Sequence, residues 1–257
     1  MKPLLKLGWC LTLLLISRVL LAEVAVDPAE YSALQEIESH ISESALFQKL
    51  TRVDDPKRRR ISSYAVNDKG HVVSLYVSRV TYENLAFLRE FPHLRFLTIS
   101  ESTALTSMQG IDNNVLLEKI WLVSVPVTRI EGLAKMERLK LLSIYEGALR
   151  SMEGVSNTHA LEYLVLNNNK LEHIEGLLNL KKLKRLNLSN NPLLSMTGLG
   201  EKPALADLLL YNTRISRLED YGSLSKMTIT VNENFSFEEN KKALSKLKAR
   251  RVRVIKI

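Results

Sequence analysis

The side chains that could perform acid–base, nucleophilic or metal chemistry are few in this chain and widely spaced. Its five histidines lack the spacing of an H-E-x-x-H zinc motif, and they are His40, His71, His93, His159 and His173. The single cysteine is Cys10, and neither a nucleophile elbow nor a phosphate-binding loop is present. Tyr145-Glu146 with His159 is the strongest nomination for a catalytic site, but nothing in the sequence brings these residues together. We therefore expect no catalysis, no metal ion and no cofactor.

A glycine recurs every 22 residues through the middle of the sequence, and an apolar pattern recurs with it. The five glycines are Gly110, Gly132, Gly154, Gly176 and Gly198. The clearest copy of the pattern begins at Leu161 and reads L-E-Y-L-V-L-N-N-N-K-L-E-H-I-E-G. Full copies start at Leu94, Leu117, Leu139, Leu161, Leu183 and Leu205, with one residue inserted in the first of them. A fixed period of this length predicts a solenoid, because one repeat buries its sides only against its neighbours.

The residues between the leucines of each L-x-L segment are the candidate binding residues. Each such segment predicts a short strand whose leucines point inward, so the intervening side chains line the concave face. Apolar and aromatic members concentrate in the earlier repeats, and they are Phe96, Trp121, Val123, Leu141, Tyr145, Tyr163 and Val165. Exposed aromatic clusters are typical of protein-binding hot spots. The alternative is that these side chains pack on one another or under the N-terminal cap.

The two ends of the chain depart from the repeat and predict caps. Asp27 and Pro28 begin a helix expected to reach about Leu50, and residues 61–66 and 71–77 flank a hairpin turn at 67–70. After the last repeat a strand, a helix beginning near Ser236 and a closing strand are expected. The predicted division is a helical cap with a hairpin strand at 23–70, repeats at 71–222 and a C-terminal cap at 223–257. Because the repeat asparagine occurs only at Asn169 and Asn191, a less regular strand ladder is expected in the N-terminal half.

The first 22 residues have the composition of a secretory signal peptide. Lys2 and Lys6 precede an apolar run over 7–17, and Ala22 is a small residue before the expected cleavage site. The run is shorter than the roughly 20 apolar residues that a membrane span requires. The mature chain would contain no cysteine, whereas extracellular animal repeat proteins of this kind usually have disulfide-linked caps. We therefore expect a bacterial protein exported to the periplasm or the medium, with no stable membrane span in the mature chain.

The chain is basic, with a formal net charge of +8. Basic residues cluster at Lys57-Arg58-Arg59-Arg60 and again over 241–256. Such clusters could meet nucleic acid or an anionic membrane surface, or they could be the solvated faces of caps. No aromatic residues interleave with them in the manner of a nucleic-acid platform, so no nucleic acid partner is expected.

The 22-residue step, the I/M-x-G-[L/V/I] ending and the helical N-terminal segment resemble the bacterial leucine-rich repeat proteins of the internalin class. The period is also similar to that of a eukaryotic phosphatase-1 regulatory subunit. This resemblance covers about 71–222 and implies an α/β leucine-rich repeat solenoid. Its expected form is a curved parallel β-sheet with short 3-10 or helical segments on the convex side. The implied function is non-catalytic binding of a protein or peptide on the concave face, and the alternative is an intracellular regulatory or scaffold subunit.

Overall fold

The L-x-L segments form short strands that stack into one continuous sheet. The computed structural model describes residues 24–42, 50–53, 62–218 and 224–257. Within them, eleven strands pair in chain order, so each strand lies between its sequence neighbours. The strands are β1 (Thr51–Arg52), β2 (Ser63–Val66), β3 (Val72–Ser78), β4 (Phe96–Ser100), β5 (Lys119–Val123), β6 (Leu141–Tyr145), β7 (Tyr163–Val165), β8 (Arg185–Asn187), β9 (Asp207–Leu209), β10 (Thr228–Val231) and β11 (Arg253–Lys256).

Helical structure is confined to the ends and to the convex side of the sheet. The α-helices of the described residues are α1 (Pro28–Ser39) and α2 (Lys241–Ala249). Short 3-10 helices lie at Ala86–Glu90, Ile111–Asn113 and Glu153–Val155. All described strand pairs are parallel except β2 with β3, which form an antiparallel hairpin. The predicted leucine-rich repeat solenoid is therefore confirmed.

The recurring glycines lie where the return segments of neighbouring repeats approach most closely. A Cβ added at Gly154 would lie 1.9 Å from the carbonyl oxygen of Ile130 in the preceding repeat. At Gly198 the corresponding distance to the oxygen of Ile174 would be 1.8 Å, and the backbone has φ of +94°. Glycine therefore recurs every 22 residues because a Cβ at these positions would clash with the preceding repeat, as the sequence indicated.

The repeat asparagines bond buried backbone between adjacent turns. Asn191 donates from Nδ2 to the carbonyls of Leu166 and Leu188, and its Oδ1 accepts the amide of Leu171. The expectation of a less regular ladder in the N-terminal half was wrong. Strands β4 to β6 have five residues each, whereas β7 to β9 have three.

The N-terminal cap covers the first repeats with α1. Ala33, Leu34 and Ile37 of this helix are buried in the common core. The helix ends at Ser39, so the prediction of a helix to about Leu50 was wrong. Immediately after it, Ile41 forms an antiparallel bridge with Val80, and such pairing requires extended backbone. The short strand β1 was also not predicted, because two residues are too few to show a periodicity.

The predicted hairpin is present, with β2 and β3 joined by the turn at 67–70 and Gly70 at a φ of +85°. At the other end the predicted strand, helix and strand occur as β10, α2 and β11. The amide of Glu239 donates to the hydroxyl of Ser236, but α2 begins later, at Lys241.

Residues 1–22 and the basic segment 57–60 lie outside the described residues. Among the described residues, no helix is both long and apolar enough to cross a membrane.

Candidate functional site

Strand register aligns the concave side chains into columns that run across the repeats. In the first column each residue is in register with the next on the neighbouring strand, and the members are Phe96, Lys119, Leu141, Tyr163, Arg185 and Asp207. The second column pairs Thr98, Trp121, Ser143, Val165, Asn187 and Leu209. In a third column Ser100, Val123 and Tyr145 pair at the ends of β4 to β6. Neighbouring strands lie about 4.8 Å apart, so members of a column are in contact range of one another.

The seven predicted partner-binding residues occur together on β4 to β7. We call them the aromatic surface, consisting of Phe96, Trp121, Val123, Leu141, Tyr145, Tyr163 and Val165. Six of them are half-buried and Tyr163 is 37% exposed. Between them lie small side chains that are almost fully buried, namely Thr98, Ser100 and Ser143. Large half-exposed side chains beside small buried ones give this part of the sheet an uneven apolar surface.

A lysine that sequence analysis had not selected lies within the aromatic surface. The Nζ of Lys119 is 5.8 Å from the ring centroid of Phe96 and 6.0 Å from that of Trp121. Both distances are within the range of cation–π attraction. In the described part of the chain, no carboxylate lies within ion-pair distance of Lys119. In the sequence, Lys119 occupies the position equivalent to Phe96 in the next repeat. It was not predicted as a binding residue because it is neither apolar nor aromatic.

Ion pairs flank the aromatic surface at the N-terminal ends of its strands. Arg95 lies over the ring of Phe96 and binds Glu118 at 2.7 Å. Further along, Lys184 donates to Glu162 at 2.7 Å. This hydrogen bond lowers the pKa of the Glu162 carboxyl and raises the pKa of the Lys184 ammonium. Each of these cations is neutralised by a neighbouring acid, so this edge presents no strong net charge.

The opposite edge carries a row of residues in the left-handed conformation, which was not predicted from the sequence. They directly follow β3 to β6, and we call them the polar rim: Arg79, Glu101, Ser124 and Glu146, with φ between 51° and 59°. Arg79 binds Glu101 at 2.7 Å, and the hydroxyl of Ser124 donates to Glu146 at 2.8 Å. A shallow cavity of about 500 Å³ is lined in part by the first three of them. The row continues with Asn168, Asn190 and Asn212.

The concave face becomes polar after β7. Arg185 on β8 binds Asp207 on β9 at 2.8 Å, and Asn187 donates to Asn167. These side chains bind each other across the strands, in contrast to the aromatic surface. The concave face therefore has two parts of different chemistry, as the sequence columns indicated.

The residues nominated for catalysis do not form a site. Tyr145 and Glu146 follow one another at the C-terminal end of β6, where the Glu146 carboxylate accepts a hydrogen bond from the hydroxyl of Ser124. His159 lies in the loop that leads into the N-terminal side of the next strand, β7. His71 and His93, which lie shortly before β3 and β4, stack with ring centroids 4.0 Å apart. No group of three metal-ligating side chains occurs among residues 24–42, 50–53, 62–218 and 224–257.

No protein-family model matches the chain, and no curated protein matches its sequence. Solved structures do share its fold. Internalin C2 from Listeria monocytogenes is 17% identical with a TM-score of 0.51, over 80% of this chain and 93% of the internalin. TLR13 in complex with ssRNA is 18% identical with a TM-score of 0.58, over 71% of this chain and 28% of that one.

A leucine-rich repeat protein of Leptospira interrogans is 17% identical with a TM-score of 0.51, over 76% of this chain and 53% of its own length. At these identities the likeness concerns the fold alone. The periodic sequence, the parallel sheet and these structures agree, and the chain is a leucine-rich repeat solenoid similar in fold to the bacterial internalins.

Proposed function

We propose that the chain is a non-catalytic binding module whose aromatic surface binds a protein or peptide partner. The observation that carries this proposal is the strand register, which gathers seven large side chains from four strands onto one half-exposed surface. Such aromatic anchors supply most of the binding energy in protein interfaces. Trp121 lies near the middle of this surface, because β5 has Phe96 on one side and Leu141 and Tyr145 on the other.

The chemistry of the surroundings favours a polypeptide over a nucleic acid as the partner. Nucleic acid affinity depends on cations that neutralise phosphates. Arg95 and Lys184 beside the aromatic surface are already bound to Glu118 and Glu162. On the polar rim, Arg79 is likewise bound to Glu101 and is therefore neutralised. TLR13 was solved in complex with ssRNA, but a shared fold does not carry that ligand over to this chain.

Peptide display tests this proposal without knowledge of the natural partner. Random peptides are selected on the wild-type protein and counter-selected on Trp121→Ala. We expect enriched sequences that bind the wild type and lose at least about 30-fold in affinity on the variant, since a hot-spot residue contributes about 2 kcal/mol or more. Peptides that bind both proteins equally would place the binding surface elsewhere.

Export of the chain from a bacterial cell is a second part of the proposal, supported by the composition of residues 1–22. Mass spectrometry of the protein produced in a bacterial host tests it. Export with processing predicts a mature chain beginning near Glu23 in the periplasm or the medium. Full-length protein confined to the cytoplasm would contradict it and support the regulatory-subunit alternative.

A further inference from the structure

The C-terminal end of the solenoid carries a groove between α2 and β11. The groove has a volume of about 580 Å³. Apolar and cationic side chains line it, and none of its lining residues is acidic: Phe237, Leu244, Val252, Val254, Lys248, Arg251 and Arg253. This composition differs from the aromatic surface, whose flanking cations are paired with acids.

Positive charge extends over the whole of this end. Residues 240–257 contain eight lysines and arginines and no aspartate or glutamate. The acids closest to this segment in the sequence are Glu238 and Glu239, and Glu238 binds Lys241 at 3.2 Å. Lys248, Arg251 and Arg253 place exposed positive charge on the helix, the following turn and the last strand, so this charge extends along the end of the solenoid.

The last strand carries cations on both of its faces and exposed apolar side chains, Ile255 and Ile257, on one of them. Because side chains alternate along a strand, Val254 and Lys256 share one face, and Arg253 and Ile255 share the other. Lys256 lies 4.7 Å from the ring centroid of Phe237. Phe237, Ile255 and Ile257 are 41%, 37% and 60% exposed.

We propose that this end of the solenoid binds an anionic membrane surface edge-on. Lipid phosphates contact Lys248, Arg251 and Arg253, while Phe237 and Ile257 enter the interface between headgroups and acyl chains. A peptide in the groove would meet only one face of β11. A membrane surface meets cations from both faces of β11 and from α2, Ile255 and Ile257 from one face, and Phe237 beside Lys256 on the other. Cations beside exposed apolar groups are the combination that surface-bound proteins use. The aromatic surface begins four strands away and is left accessible.

Sedimentation of the full chain with lipid vesicles tests the proposal. Vesicles of phosphatidylcholine alone are compared with vesicles that contain phosphatidylglycerol in addition. We expect binding only to the anionic vesicles and its loss at high salt. The exposed triple variant Lys248→Gln, Arg251→Gln and Arg253→Gln should lower the partition coefficient by about a hundredfold, because each cation contributes about fivefold. The double variant Ile255→Ser and Ile257→Ser should weaken binding to anionic vesicles at low salt, the condition in which the wild type binds.

A charge-matched variant separates a local site from the net charge of the protein. Lys135→Gln, Lys170→Gln and Lys182→Gln remove three exposed cations from the repeats and should retain nearly wild-type binding. All variants keep residues 1–22, so that apolar segment contributes equally throughout. Equal losses in the two triple variants, or no binding to anionic vesicles, would overturn the proposal. Binding of polyglutamate that persists at a salt concentration at which the anionic vesicles no longer bind would also overturn it, in favour of an acidic polypeptide.

Discussion

Gly198 and Gly200 both have positive φ, yet the space around their α-carbons differs. A Cβ at Gly198 would lie 1.8 Å from the carbonyl oxygen of Ile174, whereas at Gly200 the nearest atom would be a side-chain carbon of Leu178 at 3.4 Å. We expect Gly200→Ala to cost about 1–2 kcal/mol from backbone strain alone. Gly198→Ala should cost about 3 kcal/mol or more, because two backbones must separate. Urea unfolding measures both, and equal losses would show that packing between repeats does not require the glycine.

Lys202 is a charged residue in a position that neighbouring repeats fill with apolar side chains. It is 2% exposed, and its Nζ donates to the carbonyl of Glu201 at 3.0 Å. Burial, together with a smaller effect of the nearby Lys181, lowers the pKa of this ammonium from 10.5 to about 8. The unfolded chain therefore binds more protons than the folded chain between these two pH values, and the free energy of unfolding rises with pH across that window.

We therefore expect Lys202→Met to stabilise the protein by about 2–3 kcal/mol at pH 7. This advantage should decrease as pH rises from 8 and should disappear above about 10.5, where the lysine becomes neutral in both states. Urea unfolding at the two ends of the window measures it, with the exposed Lys182→Met as the control. An advantage that is independent of pH would assign the effect to packing instead of charge.

At the scale of elements, α1 is attached to the repeats by one face. Ile37 is 1% exposed, whereas Tyr31 on the same helix is 50% exposed. We expect Ile37→Ala to lower the free energy of unfolding by about 2–4 kcal/mol, and Tyr31→Ala to change it by less than about 0.5 kcal/mol. Hydrogen exchange should show faster opening of β3 and β4 in the first variant, because each repeat is stabilised mainly by its neighbours. Unchanged exchange there would show that α1 does not act as a cap.

The elements that the sequence predicted well are those with a period. Leu161, Leu164 and Leu166 repeat in register, so the strands and their order followed directly. The end of α1 was misplaced because the bridge between Ile41 and Val80 is a tertiary contact with no local signal. The left-handed backbone at Arg79 and Glu101 was missed for a related reason. No glycine or asparagine marks those positions, and the neighbouring strands impose their conformation.

At the scale of the whole molecule, the aromatic surface followed from the period alone, because equivalent positions of a solenoid become neighbours in space. The inclusion of Lys119 required the structure, since its relation to Phe96 and Trp121 depends on side-chain direction.

We expect Trp121→Ala to reduce affinity for a selected peptide at least about 30-fold with a nearly unchanged thermal midpoint. Leu178→Ala on the convex side, 70% exposed, is the matched control and should retain affinity. Calorimetric titration measures both, and a large fall in the midpoint of Trp121→Ala would identify that residue as core.

The fluorescence of Trp121 tests the central claim most directly. The chain has two tryptophans, so the variant Trp9→Phe leaves Trp121 as the single reporter, on the aromatic surface itself. Titration with a display-selected peptide should shift its emission to shorter wavelength in a saturable manner, with the same dissociation constant that calorimetry gives, because binding removes water from the indole. Calorimetric binding of that peptide with no change in Trp121 emission would contradict the assignment of the concave face as the binding site.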